Sequence, residues 1–154
     1  LCPGTRWPSK QWPVEYFEQL MGELAGGSVR FAVVGSGAEK ILGKRLAGRK
    51  DCVDLTGKTT LPEMTEWLRA SSVVVTNDSG PMHVAAAVGT PVIALFGPTN
   101  ASKTGPYHAR GTVLAADSKD CAACARGLSY RAEGCHCMRS IAPTTVAEAV
   151  AACE

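Results

Sequence analysis

No apolar run in the 154-residue chain reaches the roughly 18 residues that a membrane-spanning helix needs, so the sequence contains no such span. It also lacks the basic, apolar and small-residue regions of a signal peptide. Seven cysteines without a secretory signal point to a reducing, cytoplasmic compartment, where thiols or metal sites outrank a disulfide framework. Basic residues form no block or stripe and the net charge is only +2, which excludes an electrostatic groove for nucleic acid. There is no internal repeat and no low-complexity tract. There is no initiating methionine either: Leu1-Cys2-Pro3-Gly4-Thr5 reads like the tail of a strand entering a loop, and suggests a chain cut from something longer. What is present is ordinary for one globular domain, 45% apolar and 19% charged.

Helical and strand signals alternate. Residues 14–25 place Val14, Phe17, Leu20, Met21 and Leu24 on one helical face, closed by Gly26-Gly27. A short β-rich run follows at 30–34, then Gly35-Ser36-Gly37 and a helix over 38–47 with Ile41, Leu42, Arg45 and Leu46 on one face. Residues 52–55 are a short strand. Thr60, Pro62 and Glu63 form a capping box ahead of a helix carrying Met64, Trp67 and Leu68. Residues 72–76 and 91–96 are apolar enough to be strands buried on both faces. Between them Pro81 opens a helix that runs to Val88, is apolar all round, and is therefore expected to be wedged inside the domain. Residues 111–115 are an edge-strand candidate, and Thr145 with Glu148 caps a final helix. The alternation predicts an α/β fold, a Rossmann-like parallel sheet with helices on both faces, in a single domain over residues 1–154. Such sheets bind ligands at the carboxyl ends of their strands.

Two loops at those ends hold candidate binding residues. Asp78-Ser79-Gly80 arrives at a helix N-terminus, where free N–H groups and the helix dipole attract anions, with His83 one turn into the helix. The plainer account is that Asp78 and Ser79 cap the helix. Thr5, Arg6, Ser9 and Lys10 place hydroxyls and cations in a loop suited to a diphosphate, with Trp7 or Trp12 as packing platforms. The plainer account there is a solvated loop anchored by one buried Trp.

Two further segments imitate nucleotide motifs. Gly35-Ser36-Gly37-Ala38-Glu39-Lys40 follows a strand, but Lys40 stands where a dinucleotide fingerprint has its third glycine. It is a tight turn that can touch a nucleotide without being a nicotinamide site. Gly97–Thr104 approaches a P-loop, yet Ser102 replaces the glycine before Lys103, and Pro98 removes an N–H that a phosphate cradle needs. Cys121, Cys124, Cys135 and Cys137 space as C-x2-C-x10-C-x-C. A structural zinc site and reduced structural thiols are equally compatible with that spacing.

With PGTRWPSKQWP, NDSGPMHVAAAVGTPVIALFGPT and the later C-x2-C with Cys137-Met138, the sequence resembles the glycosyltransferase family of the lipopolysaccharide heptosyltransferases. The resemblance implies the second half of a two-lobed, B-type glycosyltransferase, the half that binds a nucleotide-sugar donor such as ADP-heptose. It implies Thr5 and Lys10 on the diphosphate, Ser79-Gly80 beneath it, and Asp78 and His83 at the sugar. The turn containing Gly35, Ser36, Gly37 and Glu39 would lie beside the ribose, and Thr59 or Thr60 near the base. No Asp-x-Asp is present, the motif with which the other major glycosyltransferase class holds a divalent metal. An inverting, metal-independent transfer to the lipopolysaccharide core is therefore implied, at the inner face of the bacterial inner membrane. The lipid A-core acceptor and its activating carboxylate belong to the family's first half, so no catalytic residue is expected in this chain and turnover by it alone is not. A self-sufficient nucleotide-binding module is the alternative.

Overall fold

The computed structural model describes residues 1–26, 28–107, 110–117 and 136–153. Five strands are assigned among them: β1 (Phe31–Val33), β2 (Cys52–Asp54), β3 (Val74–Asn77), β4 (Val92–Phe96) and β5 (Gly111–Ala115). β1 pairs with β2, and β3-β4-β5 form a second ladder, all parallel. The opening residues join the two. Leu1 donates its amino group to Ala32 O (2.7 Å) and accepts from Val34 N (2.9 Å), while Cys2 N donates to Val75 O (2.9 Å). Cys2 thus bridges to Thr76 in parallel, and the order across the sheet is β2-β1-opening segment-β3-β4-β5. In chain order that is the 3-2-1-4-5-6 arrangement of a Rossmann-like sheet, whose order reverses between the opening segment and β3.

Alternation along the strands builds a core on each face. Val75, Ile93 and Leu95 point to one side, with Trp12, Phe17, Leu20 and Met21. Val74, Val92, Ala94 and Phe96 point to the other, with Leu68, Met82 and Ala85. Helices α1 (Val14–Glu23), α2 (Lys40–Leu46) and α6 (Pro143–Ala151) serve the first core, and α3 (Leu61–Arg69) and α4 (Gly80–Ala87) the second. β3 and β4 are buried throughout, as their apolar runs predict, and β5 is the exposed edge. A short α5 (Ala101–Thr104) connects β4 to β5. No helix among the described residues is long and apolar enough to cross a membrane.

Three sequence expectations are corrected. Ile41 is 83% exposed and Arg45 is also outside; the inner face of α2 is Gly43 and Leu46, with Leu42 half-buried. Gly43 lies against Asp54 and Thr56, where any Cβ would come within 2.3 Å of Asp54 Oδ1, and this close approach turns Gly43 and Leu46 inward. The α4 helix is not wedged inside: Met82 and Ala85 are buried, while His83 and Ala87 face out. It packs on α3, β3 and β4 along one side, and an outward alanine exposes little apolar area. Finally, α6 begins at Pro143 with Ala142 as N-cap and no side-chain cap, so Thr145 and Glu148 form no box. Proline at the first turn, where its missing N–H has no role, is the stronger start signal.

Trp12 is the buried anchor of the opening loop, and Trp7 is 43% exposed. The indole of Trp12 donates to Ile141 O (2.9 Å) and meets Tyr16 and Phe17 edge-on at 5.7 and 4.8 Å between centroids. Trp12→Ala is expected to cost about 3–5 kcal/mol, the usual loss for a large buried aromatic. Trp12→Phe should cost less but still about 1–3 kcal/mol, because the Ile141 carbonyl loses its donor. Urea unfolding midpoints of the two variants check both values.

Candidate functional site

A cleft of about 450 Å3 opens at the carboxyl ends of the opening segment, β1 and β3, where the strand order reverses. Its polar lining comes from four loops: Gly4, Thr5 and Arg6; Gly35, Ser36 and Glu39; Thr59 and Thr60; Ser79 and Gly80. Val34, Leu61, Met64 and Val84 form its apolar wall. A second hollow, of about 730 Å3, lies at the opposite, amino ends of the strands, beside Phe31 and Val73. Open parallel sheets bind ligands at the carboxyl ends, so the smaller cleft is the candidate site.

Asn77 positions two of those loops. Its fully buried side chain accepts from Trp12 N (3.1 Å) and donates to Pro3 O (2.8 Å), tying both ends of the opening loop to the end of β3. The next residue, Asp78, is 7% exposed and receives Lys10 Nζ at 2.7 Å and Thr99 Oγ1 at 2.6 Å, both on Oδ2. Its carbonyl accepts from Thr5 Oγ1 (3.5 Å). Neither Asp78 nor Ser79 acts as a simple cap: Ser79 is the N-cap of α4 by position but bonds no helical N–H, and its hydroxyl turns back to Asn77 O (3.2 Å). The start of α4 therefore faces the cleft without a side-chain acceptor on it. A Cβ on Gly80 would meet nothing within 4 Å, so glycine there leaves open room beside the backbone rather than relieving a clash.

The 35–39 turn is held by a capping box that the Ser-x-x-Glu spacing signals. Glu39 Oε2 accepts from Ser36 N and Ser36 Oγ, both at 2.6 Å. The Glu39 side chain lies over Gly4, where any Cβ would come within 2.2 Å of its Cγ. Thr60 makes the expected second box, its N and Oγ1 each 2.8 Å from Glu63 Oε2. Cys2 lies on the cleft floor; burial pushes its thiol above the ordinary range, against smaller opposite pulls from the chain's amino terminus and Thr76. A protonated, buried thiol is not a nucleophile.

The sequence profile described as glycosyltransferase family 9 (heptosyltransferase) matches residues 1–132. The chain belongs to that family. It is 38% identical over 120 residues to lipooligosaccharide heptosyltransferase 2 of Haemophilus influenzae, a match covering 73% of this chain and 35% of that protein. It is 36% identical over 123 residues to lipopolysaccharide heptosyltransferase 1 of Pseudomonas aeruginosa, covering 79% of this chain and 34% of that protein. The structure of E. coli ADP-heptose lps heptosyltransferase II superposes with a TM-score of 0.78 at 28% identity, over 99% of this chain and 44% of that one. The matches thus span about a third of the length of these curated relatives.

Of the residues singled out by sequence, Thr5, Arg6, Gly35, Ser36, Glu39, Thr59, Thr60, Ser79 and Gly80 line one cleft. Lys10 and Asp78 stand beside it as an ion pair, joined to the lining through Thr5 and Ser79. Gly37 and His83 do not line it; His83 sits on the exposed side of α4. Cys121, Cys124 and Cys135 lie outside the described residues. Cys137 is 2% exposed and packs with Met138 in the first core beneath Gly97. Among the described residues no group of three or more His, Cys, Asp or Glu side chains is placed to hold a metal.

Sequence reasoning missed Thr99 and the apolar wall. Thr99 was legible as a residue just past the carboxyl end of a buried strand, whereas Leu61 and Met64 look like any other apolar residues of an amphipathic helix. Asn77→Ala should destabilise the domain by about 2–4 kcal/mol, since it leaves two buried backbone groups without partners. Thermal or urea unfolding measures this, and a loss under about 1 kcal/mol would contradict the assigned role.

Proposed function

We propose that this chain is the donor-binding half of a heptosyltransferase, holding a nucleoside-diphosphate sugar in the cleft between the opening loop and α4. The observation that carries the reading is the convergence of Thr5, Arg6, Ser79 and Gly80 on one cleft at the strand-order reversal, with the Lys10–Asp78 pair beside it. Heptose on an adenosine diphosphate is the donor that the names of the similar proteins suggest.

In this reading the diphosphate lies across the start of α4, where backbone N–H groups and the dipole face negative charge. Arg6 at the rim and Lys10, once turned from Asp78, add the two cations. As the glycosidic bond to the diphosphate breaks, negative charge grows on the leaving phosphate, and the α4 N–H groups with these two cations stabilise it without a divalent ion. Glu39 and Ser36 border the ribose, and the apolar wall of Leu61 and Met64 beside Thr59 and Thr60 receives the base. Asp78, relieved of Lys10, accepts from sugar hydroxyls. His83 takes part only if its side chain turns inward from the exposed side of α4.

Transfer to the lipopolysaccharide core, with inversion at the sugar, needs an acceptor surface and an acceptor base from the other half of such an enzyme. Positioning two substrates is a large part of the rate enhancement, so this chain by itself binds donor and does not turn it over. The reaction belongs at the inner face of the bacterial inner membrane, where the acceptor is assembled.

Calorimetry with ADP tests the binding role. Lys10→Ala should weaken ADP by about 1.5–3 kcal/mol, the range for a charge-assisted hydrogen bond, and chelator should leave the wild-type affinity unchanged. Unchanged affinity in that variant, or an absolute need for magnesium, counts against the reading. Incubation of the purified chain with ADP-heptose and a heptose-free lipid A-core acceptor should give no transfer, read by mass spectrometry of the acceptor.

A further inference from the structure

The loop after β4 resembles a P-loop without being one, and it holds a hydroxyl to which donor binding alone assigns no task. Thr99 Oγ1 donates to Asp78 Oδ2 at 2.6 Å, and Lys10 Nζ donates to the same oxygen at 2.7 Å. We propose that Thr99 is a positioning residue for the donor: it keeps the Asp78 carboxylate hydrogen-bonded while Lys10 swings from that carboxylate to the diphosphate. The proposal rests on the donor-site reading above and adds a residue to it.

The argument is one of satisfying a buried charge. The Asp78 side chain is 7% exposed, and a carboxylate at that depth is costly without donors. Lys10 is the more accessible partner at 19%, and its long flexible stem makes it the one able to move. If Lys10 were the only side-chain donor, every departure to a phosphate would strip Asp78 bare, and the diphosphate would have to overcome the whole ion pair. With Thr99 on the same oxygen, each donor holds it less tightly in the resting arrangement, and one remains when the other leaves. Thr99 is well placed for this. It follows directly on the buried end of β4 and Gly97-Pro98, and the next residue, Asn100, is fixed by accepting from Ser102 N (2.9 Å) and Ser102 Oγ (2.7 Å) at the start of α5. The hydroxyl is thus carried on a short side chain beside a fixed residue, while the ammonium it shares an oxygen with ends a long flexible stem.

ADP is the discriminating probe, because it presents the diphosphate without a sugar whose hydroxyls would donate to Asp78 in place of Thr99. By titration calorimetry on the whole chain, Thr99→Val should bind ADP about tenfold more weakly than wild type, and Thr99→Ser should stay within about twofold, since its hydroxyl can make the same bond. In a Lys10→Ala background the further change Thr99→Val should alter affinity by less than about twofold, because no cation remains to be released; this non-additivity is what a merely structural threonine would not produce. Should Thr99→Val fail to fold by far-ultraviolet circular dichroism, Thr99→Ala is measured against the same expectations. Wild-type protein that does not bind ADP at all overturns the donor-site reading and this inference with it. Wild-type binding with an unchanged Thr99→Val affinity, or with an equal loss in the Lys10→Ala background, overturns the role of Thr99 alone.

Discussion

One buried carboxamide holds the candidate site together. The opening loop must leave the sheet at Pro3, pass over the ends of the strands and return at Trp12 to begin α1, and at both points it presents a backbone group away from water. Asn77, at the last position of β3, offers one acceptor and one donor at the required places, so a single side chain satisfies Trp12 N and Pro3 O. A buried amide or carbonyl without a partner is costly, and no apolar residue at position 77 would serve. Because Asp78 and Ser79 follow directly, the fastening also sets the distance between the loop that carries Lys10 and the start of α4.

The sheet makes that fastening possible. Cys2 is bound to β3 and Leu1 to β1, so the opening segment is the central rung between two ladders that would otherwise not touch. Strand order reverses there, and helices therefore diverge to opposite faces on either side of it: α1 and α2 behind, α3 and α4 in front. Diverging helices leave a crevice at the strand ends. The cleft is a consequence of topology, and the polar loops then decide what it can hold.

The carboxylates at and beside the site all accept hydrogen bonds from within the protein. Lys10 is on Asp78, Glu39 is on Ser36, and Glu63 is on Thr60. Glu39 and Glu63 serve their own turns through short-range boxes. The Lys10–Asp78 pair differs in joining residues far apart in sequence, through one shared oxygen with Thr99. Local bonds of that kind stiffen single loops, whereas the Lys10–Asp78 pair ties two loops together.

Much of this was readable in the order of residues alone. Alternating apolar runs and caps announced the parallel α/β fold, and the burial of β3 and β4 followed from the apolar runs Val73-Val74-Val75 and Val92–Phe96. Nine of the singled-out positions, from Thr5 to Gly80, do line one cleft, because loops at strand carboxyl ends are brought together by any sheet of this kind. Local patterns failed where geometry depends on a neighbour. Ile41 faces outward because α2 turns Gly43 and Leu46 toward Asp54, Thr56 and the core, and His83 faces outward because α4 packs along one side only. Periodicity assigns a face up to a rotation; which rotation occurs is decided by what the helix meets. In the same way, the residue types at Lys10, Asp78 and Thr99 were evident from the beginning, but their meeting was not. The three lie on separate loops, and only the folded sheet, by setting β3 beside the opening segment and β4 beside β3, puts two donors on one carboxylate oxygen.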